Sequence, residues 1–247
     1  MTVTPAMVLA AGRGERMRPL TDRQPKPLLD VRGKPLMQWP MEALARGGFT
    51  RLVVNTAWLG EQIDQRFGTA PQWDGGVGSQ IAYSHEGRDF GAALETAGGI
   101  ARALPLLDAE LFWCLAGDVY APDFHFTQAQ VQSFADSGRL AHLWLVPNPP
   151  HNPRGDFGIG QDGAALNLPA DDPAPRYTFS TIGLYRRELF APPYCDIPPG
   201  NPAGVKAALA PLFRRAMDNG RVSAQLHTGR WTDVGTPERL AQLNTSP

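Results

Sequence analysis

Residues 9–29, LAAGRGERMRPLTDRQPKPLL, bring together side-chain types that suit a polyphosphate. Gly12 and Gly14 leave the backbone open to close approach by phosphate oxygens, and the cations Arg13, Arg16, Arg18, Arg23 and Lys26 outnumber Glu15 and Asp22 five to two. Arginine offers phosphate a planar fork, and lysine offers a mobile point charge. Lys26 stands between Pro25 and Pro27, whose restricted φ angles hold its backbone and aim its side chain. A triphosphate is the guest that this chemistry fits. Two better-known phosphate loops do not match. A dinucleotide fingerprint needs a third glycine, whereas Gly12-Arg13-Gly14 runs on into Glu15, Arg16 and Met17, which disfavours a dinucleotide-dependent oxidoreductase. A P-loop needs Gly-Lys-Ser/Thr, and the segment has none.

Two aspartates offer metal chemistry. Asp118 follows the apolar run 111–116 in the sequence AGDV, so its carboxylate emerges at the carboxyl edge of a sheet, where open α/β proteins bind ligands. Asp233 lies in WTDVGTPERL, ahead of Thr236 and Pro237, which have the types of an N-cap and a first helical residue. Carboxylates that share an ion with water and substrate phosphate suit Mg²⁺. Either aspartate alone is as readily a turn or capping residue, and only the fold can bring the two together. Asn55, in VVNTAWLGEQI, sits at a strand end where its amide could read a base edge or ribose, or simply shape a turn.

The elements that must position these residues follow from periodicity. Residues 6–10 predict a buried first strand that stops at Gly12, 36–46 a helix and 51–55 a second buried strand, a βαβ opening. Helices are predicted over 59–67, 96–104 and 126–135, and strands over 81–83, 111–116 and 140–146. This alternation predicts an α/β fold with a Rossmann-like, mostly parallel central sheet flanked by helices. The proline-rich PNPPHNPRGDFG then ends regular structure, and beyond it a strand over 177–186 and a helix over 205–219 read as a smaller α+β portion. The whole chain, 1–247, reads as a single domain with parts 1–146 and 147–247.

Composition narrows the possibilities. The 247 residues carry 23 Lys+Arg against 24 Asp+Glu, a net charge of −1, so no global field favours nucleic acid or an anionic membrane. With 43% hydrophobic and 19% charged residues the chain can bury a core, which excludes disorder over most of its length. Cys114 and Cys195 have neither metal spacing nor the density of a disulfide scaffold. No cationic leader precedes the first apolar run and no stretch has membrane-span length. These features predict a cytoplasmic protein with reduced thiols and no membrane or nucleic-acid partner, and with no sign of a dedicated assembly segment a monomer is the default expectation.

The loop motif resembles that of the sugar-1-phosphate nucleotidyltransferase family, L-A-A-G-x-G-x-R-(M)-x-P-L-T followed by P-K-P, matched by residues 9–21 and 25–27. The resemblance implies a nucleoside triphosphate and a sugar 1-phosphate as substrates, with residues 1–146 binding the nucleotide and 147–247 the sugar. It places Leu9, Ala10, Ala11, Gly12, Gly14 and Asn55 against the nucleotide. It makes Arg16, Lys26 and Asp118 catalytic, and Asp118 and Asp233 the ligands of Mg²⁺. Glu95 in LETAGGI matches a sugar-contacting glutamate, and Gly98 a glycine beside it. The segments NPPHNPRGDFG and FSTI resemble those of a uridylyltransferase branch, which adds Asp156 and Ser180 to the sugar site. Departures are Ala97, where a glycine is usual and where the sugar site is expected to be reshaped, and the lack of lysine in 167–176, where hexose-specific relatives hold the sugar phosphate. Lys206 stands near the position of another lysine of the branch. A guanylyltransferase acting on mannose 1-phosphate and a catalytically silent nucleotide-sugar sensor are the alternatives, and retention of Arg16, Lys26, Asp118 and Asp233 together speaks against the second. The reading requires the cationic loop and the two aspartates to lie within about 15 Å of one another, the limit of side-chain reach.

Overall fold

The computed structural model describes residues 3–245. In chain order the strands are β1 (Ala6–Ala10), β2 (Asp30–Val31), β3 (Lys34–Pro35), β4 (Arg51–Thr56), β5 (Gln80–His85), β6 (Leu111–Ala116) and β7 (Val119–Tyr120). There follow β8 (Ala141–Val146), β9 (Gly158–Ile159), β10 (Ala165–Leu166), β11 (Thr178–Arg186), β12 (Val222–Leu226) and β13 (Thr232–Asp233). The helices are α1 (Gln38–Arg46), α2 (Gly60–Phe67), α3 (Glu86–Phe90), α4 (Glu95–Leu107), α5 (Gln128–Ser137), α6 (Ala210–Asp218) and α7 (Pro237–Thr245).

A seven-stranded sheet runs in the order β12-β8-β11-β6-β1-β4-β5, with β11 antiparallel to both neighbours and the other pairs parallel. Successive side chains of a strand alternate between faces. Met7, Val53 and Cys114 therefore enter the core that packs against α4 and α6, while Val8, Val54 and Leu115 enter the opposite one. Burial on both faces is why these strands read as unbroken apolar runs. From β1 the chain passes through α1 to β4 and β5 on one side, then crosses through α4 to β6 on the other side of β1. Loops leaving β1 and β6 diverge at that reversal and open a crevice at the carboxyl edge.

Strands from both sides of residue 147 share this sheet, because β11 is inserted between β8 and β6. One predicted element is corrected. The helix expected over 205–219 begins at Ala210, with Pro211 in its first turn, the only part of a helix where proline's missing N–H is harmless. The residues before it form a strap over the start of α4, where Ala207 O accepts from Ala97 N and Gly98 N at 2.8 and 3.1 Å. Asn201 fixes the strap by donating to Gly98 O and Val205 O and accepting from Val205 N. Both cysteines are free and buried. Among the described residues no helix is long and apolar enough to cross a membrane.

Candidate active site

The loop after β1 is braced by its own residues. Gly14 adopts φ 68° and ψ 41°, the left-handed conformation that glycine takes without steric penalty, and a Cβ there would stand 3.1 Å from both Lys26 Cβ and Thr21 Cγ2. Thr21 Oγ1 donates to Gly14 O at 2.9 Å, while Arg13 Nη1 and Trp58 Nε1 donate to Thr21 O at 2.8 and 2.9 Å. The Arg13 guanidinium lies 3.7 Å above the Trp58 ring. Arg13 and Arg18 both reach Asp22 Oδ1, at 3.1 and 2.7 Å. The hydrogen bond from Arg13, ahead of the Arg18 charge, holds the Asp22 carboxyl below its ordinary range. Two of the loop's five cations thus serve the loop. Arg16 and Lys26 are the ones that line the cavity, and Arg16 has no ion-pair partner among the described residues.

Lys26 opens a tight turn closed by Leu28 N to Pro25 O at 2.9 Å, and its ammonium is ion-paired to Asp118 Oδ2. Asp118 directly precedes β7, which pairs with β13 so that Asp233 faces Val119, and Val234 N donates to Asp118 O at 3.0 Å. Asp233 on β13 thus pairs with the residue next to Asp118, across strands spaced about 4.8 Å apart, well inside the reach required of the two aspartates. Asp233 is engaged by Arg239 Nη1 at 2.6 Å and His151 Nε2 at 2.8 Å. A Cβ on Gly235 would lie 3.2 Å from Arg16 Nη2, so the Asp233 segment and the loop arginine adjoin. Among the described residues no cluster of three or more acidic, histidine or cysteine groups is assembled to hold an ion. Two carboxylates on adjoining segments are a donor set that suits a divalent cation sharing its shell with water and phosphate oxygens, but of the two only Asp118 lines the cavity, and Asp233 Oδ1 is taken by Arg239 and His151.

The crevice encloses about 850 Å³, within the usual range of about 300–1,000 Å³ for ligand pockets. Leu9, Ala10, Ala11, Gly12 and Gly14 line it, and a Cβ on Gly12 would meet nothing within 4 Å. Asn55 also lines it, and its amide holds the end of β1: Oδ1 accepts from Ala10 N at 2.9 Å and Nδ2 donates to Glu86 Oε1 at 2.7 Å, one bond at each end of a group that can make two. Glu86, fully buried beside the cavity, also accepts from Leu94 N at 2.7 Å. Burial raises its pKa against those two hydrogen bonds. Sequence reasoning passed over Glu86, although its place at the carboxyl end of a parallel strand was the available signal.

Of the residues expected at the sugar, Glu95 lines the cavity with φ 58°, a left-handed conformation unusual for a side-chain-bearing residue. Gly98 does not line it; a Cβ there would overlap Val205 O, so this glycine admits the strap. Ala97 is fully buried in the core with Ile100, between the cavity-lining Thr96 and Gly98 of the strap contact. Asp156 lines the cavity while its Oδ2 accepts from Phe179 N at 2.8 Å, bracing the register shift of β11. Ser180 is a correction. Its fully buried hydroxyl donates to Trp144 O at 2.6 Å and accepts from Ile182 N at 3.1 Å, and the irregularity in β11 turns Thr181, with φ 67°, to the cavity in its place. Lys206 is exposed on the strap and outside the lining. Tyr185 of β11 and Phe213 and Arg214 of α6 complete that wall, with no motif in the sequence to announce them.

Residues 5–246 match the family described as nucleotidyl transferase. The chain is 50% identical to N-acetylmuramate alpha-1-phosphate uridylyltransferase of Neisseria meningitidis serogroup B, over 96% of this chain and 95% of that one. It is 31% identical to UTP–glucose-1-phosphate uridylyltransferase of Synechocystis sp., over 93% of this chain and 60% of the relative. A crystal structure from Bacillus anthracis, assigned as a glucose-1-phosphate thymidylyltransferase, superimposes with a TM-score of 0.78 at 20% identity, over 98% of this chain and 94% of that one. At that identity the superposition shows a shared fold, the seven-stranded arrangement described above.

Proposed function

The chain belongs to the nucleotidyl transferase family, and on that premise we propose that it joins N-acetylmuramate 1-phosphate to UTP, releasing pyrophosphate and forming UDP-N-acetylmuramate. The Lys26–Asp118 ion pair beside the unpartnered Arg16, at the sheet's point of reversal, carries the reading of the reaction. The choice of base and sugar rests on the 50% identity to the Neisseria uridylyltransferase.

A phosphate monoester has a second pKa near 6, so the sugar phosphate arrives already mostly dianionic at pH 7 and needs no general base. What the protein supplies is alignment and charge. Backbone around Ala11 and Gly12 receives the triphosphate in the open part of the loop. Arg16 and Lys26 neutralise the departing pyrophosphate. Asp118 and Asp233 would hold Mg²⁺, which when bound polarises phosphoryl oxygens and offsets developing charge. The triphosphate offers Lys26 an alternative anion, which loosens its hold on Asp118. Glu95, in the cavity lining, meets the sugar hydroxyls. Alignment near the attacking geometry supplies roughly 7–11 kcal/mol of barrier reduction, so few side chains suffice. UTP is a cytoplasmic metabolite, which sets the compartment, and the product returns a cell-wall sugar to use.

A pyrophosphate-release screen tests the reading. It crosses UTP, dTTP, GTP, CTP and ATP with the 1-phosphates of N-acetylmuramate, N-acetylglucosamine, glucose and mannose. UTP with N-acetylmuramate 1-phosphate is expected to give the highest kcat/KM. A lead for GTP with mannose 1-phosphate overturns the substrate assignment, and no release with any pair overturns the reaction.

A further inference from the structure

We infer that Arg214 recognises a carboxylate carried by the sugar, and so sets specificity for the lactyl ether acid that distinguishes N-acetylmuramate from N-acetylglucosamine; this rests on the sugar assignment proposed above. Three cations line the cavity, and phosphate chemistry at the β1 loop accounts for Arg16 and Lys26. Arg214 is the third. It comes from α6, on the wall formed with Phe157, Phe179 and Phe213.

Its guanidinium carbon stands 5.3 Å from the centroid of the Phe157 ring, and Nη1 donates to Asn167 Oδ1 at 2.5 Å. Asp218, one helical turn further on, is taken by Asn167 Nδ2 at 2.9 Å, so Asn167 stands between the two charges. Arg214 has no carboxylate partner among the described residues. The adjacent Arg215 shows the contrast, since its Nη1 is spent on Pro193 O and Tyr194 O. Of five guanidinium N–H donors, Arg214 has one committed among the described residues, and its exposed side chain at the cavity wall leaves the others as a fork for a ligand. Forks of this kind match a carboxylate two bonds at a time. Asp156, the carboxylate on the same side of the cavity, is held by Phe179 N and Asn152 Nδ2 and makes no ion pair with Arg214 among the described residues, and neither a sugar hydroxyl nor an acetamide requires a full positive charge there.

The test compares the full-length protein with Arg214→Gln and Arg214→Lys, each with UTP and either N-acetylmuramate 1-phosphate or N-acetylglucosamine 1-phosphate. Loss of a charge-assisted pair predicts that Arg214→Gln raises KM for the muramate about tenfold or more while the glucosamine substrate changes less than about twofold, with partial recovery in Arg214→Lys. Equal losses for both substrates assign Arg214 to the common phosphate or to packing and overturn the inference. Unchanged KM values with a wild-type enzyme that does use the muramate overturn it while leaving the proposed function standing. A wild-type enzyme that uses the glucosamine but not the muramate removes the proposed substrate and this inference with it.

Discussion

Gly12→Ala separates the demands of folding from those of the ligand. Gly12 lies outside the left-handed φ range and an added Cβ meets no atom within 4 Å, so nothing in the folded chain requires glycine there. Alanine at such a site stabilises by about 0.4–1 kcal/mol, because the unfolded chain loses freedom. Gly14 is the internal control. It has φ 68° and would press a Cβ to 3.1 Å from Lys26 Cβ, so Gly14→Ala destabilises; the left-handed conformation alone costs about 1–2 kcal/mol. The two variants should differ by about 1.5–3 kcal/mol, with Tm moving about 2–4 °C per kcal/mol in a domain of this size. Binding runs the other way. A methyl group on Gly12 occupies the approach to the loop backbone and removes a charge-assisted hydrogen bond to phosphate, worth about 1.5–3 kcal/mol, or roughly 10–150-fold in Kd. Urea unfolding gives the first quantity and calorimetric titration with UTP the second. A Gly12→Ala protein that keeps wild-type affinity for UTP, or that unfolds several degrees early, refutes the assignment of Gly12 to the nucleotide.

Asp118→Asn should lower kcat by about 10²-fold or more with a smaller change in KM for the sugar phosphate; a kcat within about threefold of wild type, measured by pyrophosphate release, rejects the metal assignment. His142 is held neutral by burial, its pKa lowered from 6.5 to about 4. The unfolded chain then binds a proton that the folded chain refuses, so stability falls as pH drops from 6.5 towards 4, by at most about 3 kcal/mol, and levels off below. Urea midpoints of wild type and His142→Gln across pH 4–7 check this, and the same acid slope in both excludes His142 as its source. Gly99→Ala would set a Cβ 2.5 Å from Glu86 Oε1 and 3.0 Å from Asn55 Nδ2. The displaced buried carboxylate should cost about 1–3 kcal/mol and loosen the Asn55 hold on Ala10; an unchanged urea midpoint contradicts that packing.

Much of the sheet was legible because its strands are buried on both faces. The runs 6–10 and 111–116 match β1 and β6 to the residue. The helix expected over 205–219 starts later, at Ala210, because the apolar spacing runs on through the strap; Pro211 in the first turn marks the true start. At the site the sequence named Arg16, Lys26, Asp118 and Glu95, which line the cavity, and Asp233, which does not. The FSTI resemblance pointed to Ser180, whereas the irregularity in β11 brings Thr181 to the cavity, and no local pattern announces that shift.

Residue type and near-neighbour spacing by themselves determined that the segment 9–29 suits phosphate, because glycine's missing side chain and the flanking prolines of Lys26 act on the chain locally. Only the tertiary structure decided which charges remain free to act. Asp22 absorbs Arg13 and Arg18, a two-stranded ladder sets Asp233 beside Asp118, and Asn167 keeps Arg214 from Asp218. Electrostatic interaction depends on distance in space and on shielding by whatever lies between, and order along the chain encodes neither.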